Sequence, residues 1–204
     1  MNGQRPVWIF LWAQRYSPMS NEERLLACAQ AYAEGTSMTD MPDFLHLEQP
    51  AILRHQKGKP YFAAAPGLHF SLSHSGDYAA CAFYEQPVGL DLQVHSRCNK
   101  AAIARRFFHP GEYAYLEAED FESFFAVWAA KESYVKYTGT GIAGGLNRFS
   151  VVDGNGLRSK MADVEFCHWE LTECSMSLCA RILPGIKLVD LRVNGGNSGA
   201  AING

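Results

Sequence analysis

Apolar positions run unbroken through Val7-Trp8-Ile9-Phe10-Leu11-Trp12, which reads as a buried strand between Pro6 and a turn at Ser17-Pro18. Residues 21–34 follow a helical pattern, with Ser20 placed to cap the start and Gly35 to end it. From 69 to 94 the pattern alternates as a hairpin plus a third strand, over 70–73, 78–84 and 88–94. The turn residues Ser75-Gly76-Asp77 and Glu85-Gln86-Pro87 separate these strands. Two short helices, 100–108 and 112–119, are broken at Pro110-Gly111. A third helix is expected over 121–137, followed by a glycine-rich loop at 139–145. Strands at 149–152 and within 169–193 close the pattern, and the Gly/Asn/Ser/Ala-rich tail 194–204 reads as disordered.

The helix at 121–137 carries an anomaly. Phe121, Phe124, Phe125, Trp128 and Val135 recur at helical spacing, and Glu132 falls near the middle of their stripe, flanked by Lys131 and Lys136. An ionised carboxylate on an inward face is costly to desolvate unless it has a cation, a metal or a proton.

Residues 70–94 laid on 169–193 without gaps show an echo: Phe70 on Trp169, Leu72 on Leu171, Asp91-Leu92 on Asp190-Leu191 and Val94 on Val193. The expectation is an α+β fold of two similar halves about a pseudo-twofold, spanning 1–87 and 88–193, with the tail beyond. Glu173 stands where the first copy has His74, so one copy alone keeps the chemistry.

With 204 residues, 48% hydrophobic and 19% charged, the chain has the material for a sizeable core, as one large domain or two small ones. A formal net charge of -3 argues against nucleic-acid binding through bulk positive field. The six cysteines form no C-x-x-C pair and no zinc-like spacing, so they read as reduced residues of a cytoplasmic protein. The run 7–12 is too short to span a membrane.

Several short motifs could bear chemistry. In Val88-Gly89-Leu90-Asp91-Leu92-Gln93-Val94, period two puts Asp91 and Gln93 on one face, and Gly89 leaves room for a close approach. Asp91 with Glu132 would make an oxygen-only site suited to Mg²⁺ and phosphate, although a buried Asp paired with a lysine explains the strand motif equally well. His74, in Ser71-Leu72-Ser73-His74-Ser75, would contact phosphate, act as acid or base, or cap the turn, of which capping is the better reading for the motif alone. Gly58-Lys59-Pro60 alone reads as a solvent loop. Glu112, after His109-Pro110-Gly111, is also explained as a helix N-terminal acid favoured by the dipole.

In this order, Gly58-Lys59-Pro60, the 70–75 and 88–93 segments, Arg106-Phe-Phe-His-Pro-Gly-Glu-Tyr113 and Trp128-Ala-Ala-Lys-Glu-Ser-Tyr-Val-Lys136 resemble the Sfp-type 4′-phosphopantetheinyl transferases, over about residues 58–152. The resemblance implies transfer of the phosphopantetheine arm of coenzyme A to a serine of an apo acyl- or peptidyl-carrier protein, releasing adenosine 3′,5′-bisphosphate. With the cysteine usage and net charge, the expectation is a cytoplasmic monomer with no membrane or nucleic-acid partner.

By the same resemblance, Asp91, Glu132 and Gln93 would hold Mg²⁺ on the coenzyme A pyrophosphate. Lys136 would stabilise the leaving oxygen, and Glu112 would be the general base. Lys59, Pro60, Ser73, His74 and Lys131 would bind the coenzyme. Two departures stand out: Gln93 occupies a position where the family often has Glu, and helix 21–34 offers only Arg24 for the 3′-phosphate, leaving Arg54 and Lys57 to compensate. The alternative reading is a non-catalytic carrier-binding module of the same fold.

Overall fold

The computed structural model describes residues 4–14, 19–38, 41–48, 51–55, 58–141 and 145–192. The Ser17-Pro18 turn, Lys57, Val193, the tail 194–204 and part of the 139–145 loop lie outside the described residues.

Strand β1 (Val7–Ala13) and helix α1 (Asn21–Gly35) open the chain. A capping box between Ser20 and Glu23 starts α1. A short two-stranded ribbon, β2 (Ile52–Arg54) with β3 (Pro60–Phe62), follows. The hairpin β4 (His69–Ser75) and β5 (Tyr78–Tyr84) leads into β6 (Val88–Val94). Helices α2 (Lys100–Phe107), α3 (Pro110–Ala118) and α4 (Phe124–Thr138) come next. The two-residue strands β7 (Val152–Asp153), β8 (Gly156–Leu157) and β9 (Lys160–Met161) precede β10 (Val164–Glu170), β11 (Cys174–Ala180) and β12 (Ile186–Asp190).

The fold is α+β. One sheet has the order β12-β1-β5-β4 and the other β6-β11-β10-β9. On β1, Trp8, Phe10 and Trp12 enter the core under α1, while Val7, Ile9 and Leu11 enter a second core between the sheets. Burial on both faces explains the unbroken apolar run. A third core, around Phe108, Phe124, Val127 and Phe166, fills the space between the second sheet and helices α2–α4.

The expected helix start at 121 moves to Phe124, because Asp120 and Phe121 both take left-handed φ (53° and 59°). The strand expected at 149–152 shrinks to Val152–Asp153, and β10 begins at Val164 rather than at Trp169. The echo survives as topology: each hairpin, β4–β5 and β10–β11, is followed by a strand that joins the other sheet. Thus β6 pairs with β11, and β12 pairs in parallel with β1. The ungapped overlay is out of register, setting Ser75 against Cys174 at the start of β11 rather than against Glu170 at the end of β10. A boundary at 87 separates the hairpins, but β12 belongs to the first sheet.

The close approach anticipated at Gly89 is made by α4 itself. A Cβ at Gly89 would collide with the Ser133 carbonyl oxygen and the Tyr137 backbone nitrogen. Its absence lets α4 lie directly on β6, beside Asp91. Gly89→Ala is therefore expected to lower stability by about 1–3 kcal/mol, since backbone must shift to admit the methyl group. Urea denaturation would measure this, and an unchanged midpoint would contradict the packing.

Candidate active site

The side chains of β6 alternate between two environments. Val88, Leu90 and Leu92 enter the core between the sheets, so Gly89, Asp91 and Gln93 face α4. Asp91 is buried, with 5% of its surface exposed. Its Oδ1 accepts from the Ser73 hydroxyl at 2.7 Å and from the Lys136 ammonium at 2.7 Å. Among the described residues, its Oδ2 is buried without a hydrogen-bond partner, and so is Oε1 of Glu132. Lys136, one turn after Glu132, also reaches the Leu72 carbonyl at 3.4 Å.

Burial pushes the Asp91 carboxyl above its usual range, against the pull of Lys136 and Ser73. Burial raises Glu132 as well, and the Asp91 charge adds to the rise while Lys136 opposes it. Two carboxylates that each lack a partner for one oxygen, with Asp91's charge raising Glu132, form a pair that can hold a hard divalent cation. The bland reading of Asp91, a buried acid paired with lysine, is correct for Oδ1 and leaves Oδ2 unexplained. Among the described residues, no group of three or more His, Cys, Asp or Glu converges.

Glu132 and Lys136 open onto a cleft of about 250 Å³. Gly58, Lys59 and Pro60 form one wall, and Phe70, Ser71 and Leu72 another, so the cleft lies between the two sheets' halves of the chain. The Lys59 ammonium donates to the carbonyls of Val88 (3.2 Å) and Tyr137 (3.3 Å), and burial lowers its pKa. It thereby joins β6 to the C-terminal end of α4, where Gly139 caps the helix at φ 66°.

The other expected site residues lie elsewhere. Glu112 is completely buried, and its oxygens are taken. Oε1 accepts from the Val151 amide at 2.7 Å, and Oε2 accepts from the His109 amide at 2.9 Å and meets the Lys131 ammonium at 2.6 Å. With His109 it forms the capping box of α3, so the simpler sequence reading, an N-terminal helix acid, is the one its surroundings match. Lys131 is likewise 0% exposed, held by Glu112, the Phe149 carbonyl (2.8 Å) and the face of the Phe149 ring. Neither side chain reaches solvent or the cleft.

His74 is exposed on the strand face opposite Ser73. Gln93 is half-buried and lines a separate hollow with Ser96, Cys98, Ile103, Phe124, Phe125 and Trp128. Arg54 borders a hollow next to the cleft with Asn21 and Glu22. Sequence reasoning overlooked the cleft walls Phe70, Val135 and Gly141. It also overlooked the shared task of Ser71, Ser73 and Ser75, although their spacing of two already put them on one strand face.

This region is also where known proteins resemble the chain. Residues 87–181 match the model of the 4′-phosphopantetheinyl transferase superfamily. Curated relatives bear the name 4′-phosphopantetheinyl transferase. The 4′-phosphopantetheinyl transferase Sfp of Bacillus subtilis (strain 168) is 40% identical over 98 residues, 46% of this chain and 43% of that protein. HetI of Nostoc is 41% identical over 96 residues (43% and 40%), and AcpT of Salmonella typhimurium is 38% identical over 96 (44% and 50%). The chain thus spans about half the length, or less, of the curated relatives it matches. No helix among the described residues is long and apolar enough to cross a membrane.

Proposed function

We propose that the protein transfers the 4′-phosphopantetheine group of coenzyme A to a serine hydroxyl of an apo carrier protein, with Mg²⁺ as the cation and adenosine 3′,5′-bisphosphate as the second product. The supporting observation is a pair of buried carboxylate oxygens, Asp91 Oδ2 and Glu132 Oε1, that have no partner among the described residues and lie beside a cleft presenting the Lys136 ammonium. Two acids alone would repel a diphosphate. Two acids with a divalent cation and a lysine attract it.

Asp91 and Glu132 would hold the Mg²⁺, which would supply Lewis-acid stabilisation of charge on the phosphate oxygens. Lys136 is positioned to leave Asp91 for the leaving oxygen, a move over short range because its ammonium is only part-buried. Gly58, Lys59 and Pro60 bound the nucleotide end of the cleft. Gln93 shares a strand face with Asp91 but lines a separate hollow, so Asp91 and Glu132 form the ligand pair.

Glu132 is the carboxylate that lines the cleft, and its second oxygen, Oε2, not the ligand oxygen Oε1, would take the proton of the attacking serine, directly or through water. Glu112 takes no part in that step; its oxygens are already occupied in the protein interior. Incubation with coenzyme A, Mg²⁺ and an apo carrier protein, followed by intact mass measurement of the carrier, tests the whole reading. A gain of one phosphopantetheine supports it. An unmodified carrier across several carriers contradicts it, and coenzyme A cleavage without transfer would point to a hydrolase.

A further inference from the structure

The two sheets meet edge to edge at β4 and β6, and what joins them there is side-chain rather than main-chain hydrogen bonding. Ser71 Oγ accepts from the Leu90 amide at 2.9 Å, Ser73 Oγ from Leu92 at 3.1 Å and Ser75 Oγ from Val94 at 3.1 Å. Both residue numbers rise by two at each step, so three hydroxyls replace the carbonyls of a parallel ladder. β6 needs this, because its other edge is spent on β11 and buried amides require acceptors.

The central hydroxyl differs from its neighbours. Ser71 returns its proton to the Leu90 carbonyl at 3.4 Å, whereas Ser73 directs its proton to Asp91 Oδ1 at 2.7 Å. We infer that Ser73 is a positioning residue for the cation: clamped by the Leu92 amide, its hydroxyl fixes the rotation of the Asp91 carboxylate so that Oδ2 stays turned away from Lys136 and available as a ligand. The inference rests on the reading of Asp91 and Glu132 as a cation site. Without the Ser73 proton, the carboxylate is free to turn both oxygens toward the Lys136 ammonium, which competes with the cation. Ser73 belongs to the first sheet and Asp91 to the second, so the geometry of the site depends on the seam between the halves. Ser73 itself is 3% exposed, and its hydroxyl is engaged on both sides, so it does not serve as the coenzyme contact expected from the sequence.

The experiment is a Mn²⁺ titration of the full chain with coenzyme A present, reading free Mn²⁺ by electron paramagnetic resonance and correcting for binding to coenzyme A alone. Removing a hydrogen-bond partner of a metal ligand typically weakens metal affinity by about 10- to 100-fold. Ser73→Ala is expected to raise the half-saturating Mn²⁺ concentration at least about ten-fold. Ser73→Cys keeps the side-chain size but donates weakly, and should show a similar rise. Ser75→Ala, which removes a neighbouring seam bond without touching Asp91, should lower the melting temperature comparably yet leave Mn²⁺ affinity within about two-fold. If Ser73→Ala is too unstable to assay, Ser73→Cys decides. Wild-type affinity in the Ser73 variants, or an equal loss in Ser75→Ala, overturns the inference. Absence of Mn²⁺ binding by the wild-type chain overturns instead the cation-site reading on which it rests.

Discussion

Glu132→Gln is expected to reduce carrier modification by about 1,000-fold, because it removes a cation ligand and the serine's proton acceptor together. The same variant should be more stable than the wild-type chain when cations are chelated at neutral pH. The reason is electrostatic: burial and the neighbouring Asp91 raise the Glu132 carboxyl above its ordinary value of 4.5. A group raised on folding contributes its full stability below the unfolded pKa and loses it as pH rises through the folded one. In chelator, the wild-type chain therefore gains on the variant as the pH is lowered toward the ordinary carboxylate range, and the gap between them closes. Added Mg²⁺ should stabilise the wild-type chain and leave Glu132→Gln nearly unaffected. Thermal melts at two pH values, with and without Mg²⁺, check all of this. Equal Mg²⁺ stabilisation of both proteins would show that the cation sits elsewhere.

The second large effect concerns stability. Glu112→Ala should destabilise the protein by about 3–5 kcal/mol, because it leaves the Lys131 ammonium buried with no counter-charge. It also leaves the amides of His109 and Val151 without their acceptor. Pairing Glu112→Gln with Lys131→Met removes both charges and keeps an oxygen for Val151, while methionine fits among Phe108 and Phe149. That double variant should recover at least about 2 kcal/mol of the loss. Its transfer rate should fall less than about ten-fold, an amount attributable to small shifts of α4. Urea denaturation and the mass assay measure the two quantities. A stable double variant with normal cation binding but no transfer would restore Glu112 to the chemistry.

These two glutamates show what the chain's pattern reveals and where it stops. Glu132 was legible, since a carboxylate in an apolar helical stripe is anomalous whatever surrounds it. Asp91 was legible because period two and Gly89 define the face it occupies. The buried pairing of Glu112 with Lys131 was not legible, because a helix-capping acid and a cleft base look alike until the partners are placed; those partners, Val151 and Phe149, lie outside both of their helices. The element order from β4 to α4 was readable from alternation and turn residues. The short strands β2, β3, β7, β8 and β9 were not, because two or three residues carry no period. The tasks of Ser71, Ser73 and Ser75 depend on a neighbouring strand nineteen residues along the chain, and local spacing gave their shared face but not their acceptor role.

The parallel pairing of β12 with β1 brings the far end of the described chain back to its beginning. A ribosome making this protein exposes one flank of a tryptophan-rich strand, Val7–Ala13, until Ile186–Asp190 has been synthesised and has emerged. During that interval the nascent chain presents an open, apolar edge of the kind that recruits neighbouring chains. Production in a host should accordingly depend on chaperone capacity and growth temperature more than on final stability, and fragments ending before 186 should collect as insoluble material.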